Sequence, residues 1–321
     1  MTPPAFWQTG GLAATVLAPF EVITAALTAR RVTKAGWQAP VPVICIGNAV
    51  VGGSGKTPVV LDFASRLAAR GVAVHCLTRG HGGAARGVTR VDPACQTAAD
   101  VGDEALLLAE AAPTWAGVDR AAAARAAVAA GAQALVMDDG LQNPSLEKTA
   151  SLLVIDGGAG FGNGRLLPAG PLREPVARAA ARCRAAIMIG ADQTGGAAAL
   201  PPTLPILQAT LKPGPDMLAH AGRIALAFAG IARPGKFFAT LEQAGIVLAE
   251  SRAFTDHHVY TARELANLRL RAAALGAPLV TTWKDFVRIP PADRAGITPL
   301  SARIAWARES AVEALLRSFV P

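Results

Sequence analysis

The sequence predicts an α/β fold: a mostly parallel sheet with helices on both faces, an apolar helix ahead of it, and a second, smaller α/β unit behind. Three observations carry this. Short apolar runs such as "VPVICIG" at 41–47, "VAVHCLT" at 72–78, "ALVMDD" at 134–139 and "SLLVID" at 151–156 each end in polar or glycine residues. Helical stretches, among them "VVLDFASRLAARG", "GDEALLLAEAA" and "DRAAAARAAVAAG", separate them, which is the alternation that builds a parallel sheet. The proline-rich segment "LPPTLPILQATLKPGPD" at 200–216 then breaks the periodicity, and strand, glycine turn and helix begin again in "RIALAFAGIARPGKFFATLEQAG", followed by a further strand in "APLVTTWKDFVRI".

Taken in order, residues 1–36 form an N-terminal membrane-associating helix, 37–205 the main sheet domain and 206–321 the smaller C-terminal α/β domain. A chain of 321 residues suits roughly two domains of about 150 residues each. The first segment, 6–31, is apolar for about the length that crosses a bilayer, yet it holds Pro19 and Glu21 and has neither an early basic region nor an Ala-x-Ala cleavage site. It reads poorly as a signal peptide. Arg30, Arg31 and Lys34, with Trp7 and Trp37 near the two ends, suit a helix lying in the cytoplasmic leaflet with its cations on anionic headgroups; the competing reading is an ordinary amphipathic helix packed on the domain.

The first strand runs into "NAVVGGSGKTPVV" at 48–60. Gly52, Gly53, Ser54 and Gly55 let backbone N–H groups curl around phosphate oxygens, Lys56 reaches the β- and γ-phosphates, and the Thr57 hydroxyl ligates Mg²⁺. Val50 stands where the usual pattern has its first glycine, but strand, glycine loop and helix is the required context. The other reading is a tight turn and nothing more. The main domain is therefore expected to be P-loop NTPase-like. Asp138 and Asp139 follow a strand, where such proteins hold Mg²⁺ directly or through water, although paired aspartates also cap helices. Asp103 and Glu104 open a predicted helix and taken alone read as a cap; beside a nucleotide loop they offer a carboxylate that accepts a hydroxyl proton.

The run "DHH" at 256–258 places Asp256 beside His257, and a carboxylate orients a histidine and raises its pKa; taken alone it is a surface polar run. The segment "GFGNGRLLPAGPLREP" at 160–175 is too rich in Gly and Pro for a helix or central strand, and long irregular loops in compact domains are usually functional. Its Arg165 and Arg173 could clamp a phosphate.

Bulk composition limits the partners. Hydrophobic residues make up 52% and charged residues 17%, enough apolar surface for a sizeable core. A net charge of +8 points to anionic partners, but the arginines are scattered through alanine-rich helices and aromatics are only 5%, so no nucleic-acid surface is expected. Cys45, Cys76, Cys95 and Cys183 are widely spaced with no Cys-x-x-Cys, which indicates neither zinc nor a disulfide framework and fits a reducing compartment.

Assembled in order, "VGGSGKTP", "TRGHGG", "GDEALLLA", "DDGLQN", "GFGNGRLLPAGPLREP", "FAGIARPGKFF", "DHHVYT" and "TTWKD" resemble the tetraacyldisaccharide 4′-kinase family of lipid A biosynthesis, over nearly the whole chain. The resemblance implies transfer of the ATP γ-phosphate to the 4′-hydroxyl of a tetraacylated glucosamine disaccharide 1-phosphate, giving lipid IVA. It implies ATP and Mg²⁺ as cofactors, and a peripheral, monomeric protein on the cytoplasmic face of the inner membrane. Residue by residue, Lys56, Thr57 and the loop glycines would hold ATP, with Asp138, Asp139 and Gln142 near the metal or nucleotide. Asp103 would be the base, assisted by His257, with Glu104 and Asp256 as supporting carboxylates. Arg79, Asn163, Arg165, Arg173 and Glu174 would line the sugar-phosphate side. Two positions depart from the family pattern: His81 stands where many relatives carry tyrosine in an Arg-Gly-Tyr-Gly turn, which leaves the aromatic contact to the nucleotide open, and Asn143 stands where histidine is common.

Overall fold

The computed structural model describes residues 4–320; residues 1–3 and 321, which the terminal segments above include, lie outside it. Thirteen strands follow along the chain: β1 (Val43–Gly47), β2 (Val74–Thr78), β3 (Thr89–Arg90), β4 (Thr114–Ala116), β5 (Ala134–Asp138), β6 (Ala150–Asp156), β7 (Ala185–Ile189), β8 (Ile206–Pro213), β9 (Ile224–Ala229), β10 (Val247–Ala253), β11 (Leu279–Thr282), β12 (Ile297–Leu300) and β13 (Ala302–Trp306). Nine form one sheet in the order β13-β8-β7-β6-β1-β5-β2-β4-β3, and four form a second in the order β10-β9-β11-β12. The second sheet is parallel throughout, and the first is parallel except where β13 meets β8 and β3 meets β4.

The centre of the large sheet is buried on both faces, which is why its strands read as unbroken apolar runs. Successive side chains of β1 point to opposite sides: Ile44 and Ile46 join Val59, Phe63 and Leu67 of the helix Lys56–Ala69, while Val43 and Cys45 join Ala123, Ala124 and Ala127 of the helix Arg120–Ala129. That second helix starts where the Asp119 carboxylate accepts hydrogen bonds from the N–H groups of Ala121 and Ala122. β1 lies between β5 and β6 with Ile46 opposite Asp138, so the loop that leaves β1 and the aspartates that end β5 emerge side by side.

The boundary of the smaller unit differs from the 206–321 span read from the sequence. β8 and β13 belong to the large sheet, and Ile304, Trp306, Val312 and Leu316 pack in the same cluster as Phe63. The smaller unit is an insertion between those two strands. Its two crossings are clipped together: Gly214 N–H donates to the Ser301 carbonyl at 2.9 Å, and the Asp216 carboxylate accepts from Ser301 N–H at 2.7 Å and from its hydroxyl at 3.0 Å.

The expected N-terminal apolar helix runs from Leu12 to Val32, tightening to a 3-10 turn at Ala18–Phe20 around Pro19, and a short separate helix Phe6–Thr9 precedes it. Its polar side faces the protein. Thr24 and Thr28 hydroxyls donate to the carbonyls of Leu167 and Arg173, Glu21 pairs with Arg165 at 3.2 Å, and Trp7 Nε1 donates to Pro168 O. Its apolar side is turned outward, with Leu12 81% and Val22 71% exposed and Val16, Phe20, Ile23 and Leu27 exposed beside them.

Truncation after Leu300 removes an edge strand and the buried side chains of Ile304, Trp306, Val312 and Leu316, each large-to-small core loss being worth about 2–5 kcal/mol. The truncated chain should be recovered unfolded or aggregated by circular dichroism and gel filtration; a soluble, cooperatively melting product would restore the 206–321 boundary.

Candidate active site

The loop after β1 is shaped from its own backbone. Asn48 is buried and its amide donates to Ser54 Oγ at 2.9 Å and to Gly52 O at 3.5 Å. Gly55 caps the helix with φ 80°, a left-handed backbone that favours glycine, and a Cβ there would press on Ile189 Cδ1 at 2.8 Å. No side chain caps this helix, which leaves the N–H groups of its first turn to bind an anion. The loop's outer edge is held by the Gly/Pro-rich segment: Val51 N–H donates to Pro171 O and Arg173 N–H to Ala49 O, at 2.8 and 2.7 Å.

Asp138 and Asp139 part company in environment. Asp139 takes a left-handed backbone (φ 51°) and pairs with Arg173 Nη1 at 3.0 Å, with Lys56 Nζ at 3.7 Å. Burial raises its pKa, but the Lys56 and Arg173 charges outweigh that and the net shift is downward. Asp138 is fully buried and neither carboxylate oxygen has a hydrogen-bond partner. Burial, then the negative charge of Glu104, pushes it up to about 7, against the pull of Lys56. A buried carboxylate with no partner is costly unless a cation reaches it. With Thr57 in the first turn of the adjoining helix, these residues fit Mg²⁺. Among the described residues no three His, Cys, Asp or Glu side chains gather as a metal cage.

Asp103 begins the helix Asp103–Ala109 and is 6% exposed. Its Oδ1 accepts the N–H of Glu104, and its Oδ2 meets three groups from the smaller unit: His257 Nδ1 at 3.1 Å, Arg288 Nε at 2.7 Å and Lys284 Nζ at 4.0 Å. Burial raises its pKa, but the hydrogen bond to His257 and the charges of Lys284 and Arg288 overcome that and hold the carboxyl well below the usual range. Arg288 is fixed in turn by Asp285, buried and 3.1 Å away, which also accepts from Tyr260 Oη at 2.8 Å. Lys284 also lies 3.7 Å from Glu104, so the carboxylate that perturbs Asp138 is tied to the Asp103 cluster.

The sequence reading missed Arg288, and it also missed Arg120, which is 2% exposed and donates to Gly117 O; burial lowers its pKa to about 10, and the charges of Asp138 and Asp139 offset that only in part. Several expected contact residues are spent on scaffolding. Gln142 Nε2 donates to Asn48 O and Glu174 Oε1, both at 2.9 Å. Glu174 is 2% exposed and pairs with Arg182 at 2.6 Å, so it faces the interior and not a sugar. The Asn163 amide donates to the carbonyls of Phe6 and Ala169, and its oxygen accepts from Arg165 N–H, which leaves it holding the loop and the N-terminal segment. Asp256 lies 3.9 Å from His257 Nε2. Arg79 lines a cleft with His81, Asp100, Gly117 and Val118.

The profile of the tetraacyldisaccharide-1-P 4′-kinase family matches residues 13–320. The chain belongs to this family. A tetraacyldisaccharide 4′-kinase of Gluconacetobacter diazotrophicus is 57% identical over 98% of this chain and 97% of its own, and one of Rhodospirillum centenum is 52% identical over 98% and 96%. The fold matches the crystal structure of LpxK from Aquifex aeolicus in complex with ATP, with a TM-score of 0.76 at 24% identity, covering 97% of this chain and all of the other. Membership gives the Gly/Pro-rich loop and the charged clusters a common setting, since all lie inside the matched span.

The depressed pKa of Asp103 has a thermodynamic consequence with a definite sign. Its ionised form stabilises the fold fully above its unfolded value of about 3.9, and that contribution fades as pH falls through the lower folded value. Comparing thermal midpoints of the native chain and Asp103→Asn, the gap should be largest above about pH 5 and shrink below about pH 4. A gap that stays constant with pH would show that Asp103 is not ionised against Arg288 and Lys284.

Proposed function

We propose that this chain is an ATP-dependent kinase that moves the γ-phosphate to the 4′-hydroxyl of a tetraacylated glucosamine disaccharide 1-phosphate, with Asp103 as the acceptor of the hydroxyl proton. The observation that carries the mechanism is the pairing of Asp103 on one unit with His257 of the other at 3.1 Å, a short charged step by way of Glu104 and Lys284 from the orphaned Asp138. A nucleotide-dependent switch would need the loop and Asp138 only, and would leave Asp103, His257 and Arg288 without a task.

The glycine loop and the first helical turn hold the phosphates, and Lys56 lies between them and Asp139. Mg²⁺ held by Asp138 and Thr57 would neutralise charge on the β- and γ-phosphates. Asp103 is a weak base, since Arg288 and Lys284 stabilise its ionised form. A loose phosphoryl-transfer transition state asks for little basicity and much positioning, which His257 and Arg288 supply by fixing the carboxylate. Because these partners come from the inserted unit, the acceptor pocket is complete only when the two units meet.

The outward apolar face of 12–32 supports a membrane-lying helix, with Arg30, Arg31 and Lys34 at its end for anionic headgroups. The four free thiols fit the cytoplasmic face. Arg173 and Arg165 stand where the helix meets the nucleotide loop and would receive the sugar-phosphate side of the acceptor.

The deciding experiment incubates the purified chain with Mg-ATP and the disaccharide 1-phosphate in detergent and reads the product by mass spectrometry; a substrate that gains no phosphate overturns the assignment. In the same assay Asp103→Asn should lower kcat by roughly 10² to 10⁴-fold with ATP affinity little changed, the worth of a positioned base. Loss of ATP binding would instead move Asp103 into the nucleotide site. Replacing Val16, Phe20, Ile23 and Leu27 with serine should abolish partition onto vesicles while leaving the thermal midpoint near the native value, because these side chains are not buried. A fall in stability would mean that the helix packs on the protein.

A further inference from the structure

Asp156 ends β6, the strand beside β1, and is buried although it reaches across to the inserted unit. Its Oδ2 accepts from Lys236 Nζ at 2.8 Å and Arg233 Nη1 at 3.0 Å, and its Oδ1 from Lys236 Nζ at 3.0 Å and its own turn's Gly158 N–H at 2.9 Å. Arg233 and Lys236 belong to the turn that leaves β9 and the helix Pro234–Gln243. Nothing in the phosphoryl-transfer scheme uses these three charges.

The same turn touches both halves of the proposed site. Ala232 Cβ lies 3.6 Å from where a Cβ on Gly53 would stand, so the turn rests on the nucleotide loop. Gly230, two residues earlier, receives hydrogen bonds on its carbonyl from His257 N–H at 3.1 Å and Arg288 Nη1 at 2.7 Å, and donates its N–H to Asp285 at 3.0 Å. A Cβ on Gly230 would come within 3.0 Å of His258 Cβ and Tyr260 Oη, so the backbone is packed tightly at this point. One short segment therefore carries a contact to Asp156, a contact to the nucleotide loop and the anchorage of the two groups that hold Asp103.

We propose that Asp156, Arg233 and Lys236 form a latch between the units that sets the spacing of the Asp103–His257 pair from the nucleotide loop, which makes them positioning residues for the reaction. The inference rests on the kinase reading for its catalytic consequence alone. The latch is asymmetric: the carboxylate is buried, while both cations are partly in water. A buried charge stripped of its partners is strongly disfavoured, so Asp156 holds the second unit firmly although the cations themselves are only loosely fixed.

The test compares Asp156→Asn, the double variant Arg233→Gln/Lys236→Gln, and the triple variant. Displacement of reacting groups by about an ångström costs up to about 10²-fold, so Asp156→Asn and the double variant should each lower kcat by at least about tenfold, with the acceptor KM little changed. The triple variant should be no worse than either, because all remove one interaction. Asp156→Glu should recover most of the turnover. Hydrogen exchange of the native chain and the double variant, without substrate, should show faster exchange in 230–236 and unchanged exchange in β9. Asp156→Asn leaves no buried charge without a partner and keeps the test readable, hydrogen exchange included, if the double variant fails to fold. Multiplicative losses in the triple variant, native turnover in the double variant, or a loss in the double variant that Asp156→Asn does not share would each overturn the latch, as would unchanged exchange in 230–236. Native-chain turnover in the same assay separates failure of the latch from failure of the kinase reading, and the exchange readout needs neither.

Discussion

Asp138 stands at the end of β5 with both carboxylate oxygens buried and unpartnered, while Asp103, buried at the start of a helix, meets His257, Arg288 and Lys284. The contrast matches the two roles proposed for them. Asp138, proposed to receive a divalent cation, is left without a direct bond, and the positive charges of Lys56 and Arg120 favour its ionised form against burial. Asp103, proposed to accept a hydroxyl proton, is compensated directly, and the compensation arrives from the second unit. Glu104 joins the two by repelling Asp138 while lying 3.7 Å from Lys284. Charge around Asp103 is thereby felt at Asp138, with no side chain shared between the two.

The core of the large sheet was legible because its strands are buried on both faces and so leave continuous apolar runs; β1, β5 and β6 are buried from end to end. β8 and β13 were not legible as parts of that sheet. β8 is largely exposed along its length and β13 is a short antiparallel edge, so neither carries the buried-strand signal, and the prolines before β8 read as a break between domains. Local pattern also gave no hint that 154 residues of sequence separate two touching side chains, Asp103 and His257; that pairing came from the family resemblance. Arg288 was hidden by a run of residues that looks like one strand. Strand β11 in fact stops at Thr282, whose hydroxyl caps the short helix Trp283–Phe286, and the turn sends Lys284 and Arg288 toward Asp103.

Where the sequence reading assigned too much, the reason is the same in each case. Gln142, Asn163 and Glu174 are polar residues in a Gly/Pro-rich or metal-adjacent setting, and polarity there suggests ligand contact. The buried Glu174 must satisfy its hydrogen bonds within the fold, and the half-buried Gln142 and Asn163 also find their partners in the protein. Residue type marks a functional region; only the partner list separates the groups that touch a ligand from those that hold the region in shape.

Arg173 shows how the holding and the touching are joined. Its carbonyl accepts the Thr28 hydroxyl of the N-terminal helix, its N–H donates to Ala49 at the start of the nucleotide loop, and its guanidinium clasps Asp139. A single residue thus connects the apolar helix to the glycine loop and to Asp139. On the proposed reading, an acceptor whose acyl chains lay along that helix would reach the nucleotide without any long excursion of the protein, because one residue's backbone and side chain tie the helix to the loop. The irregular loop from 160 to 175 can be neither shortened nor regularised under this constraint. It has to offer carbonyls outward to Thr24 and Thr28 and bonds inward to Ala49 and Val51 at once, and a regular helix or strand would use those same backbone groups for itself.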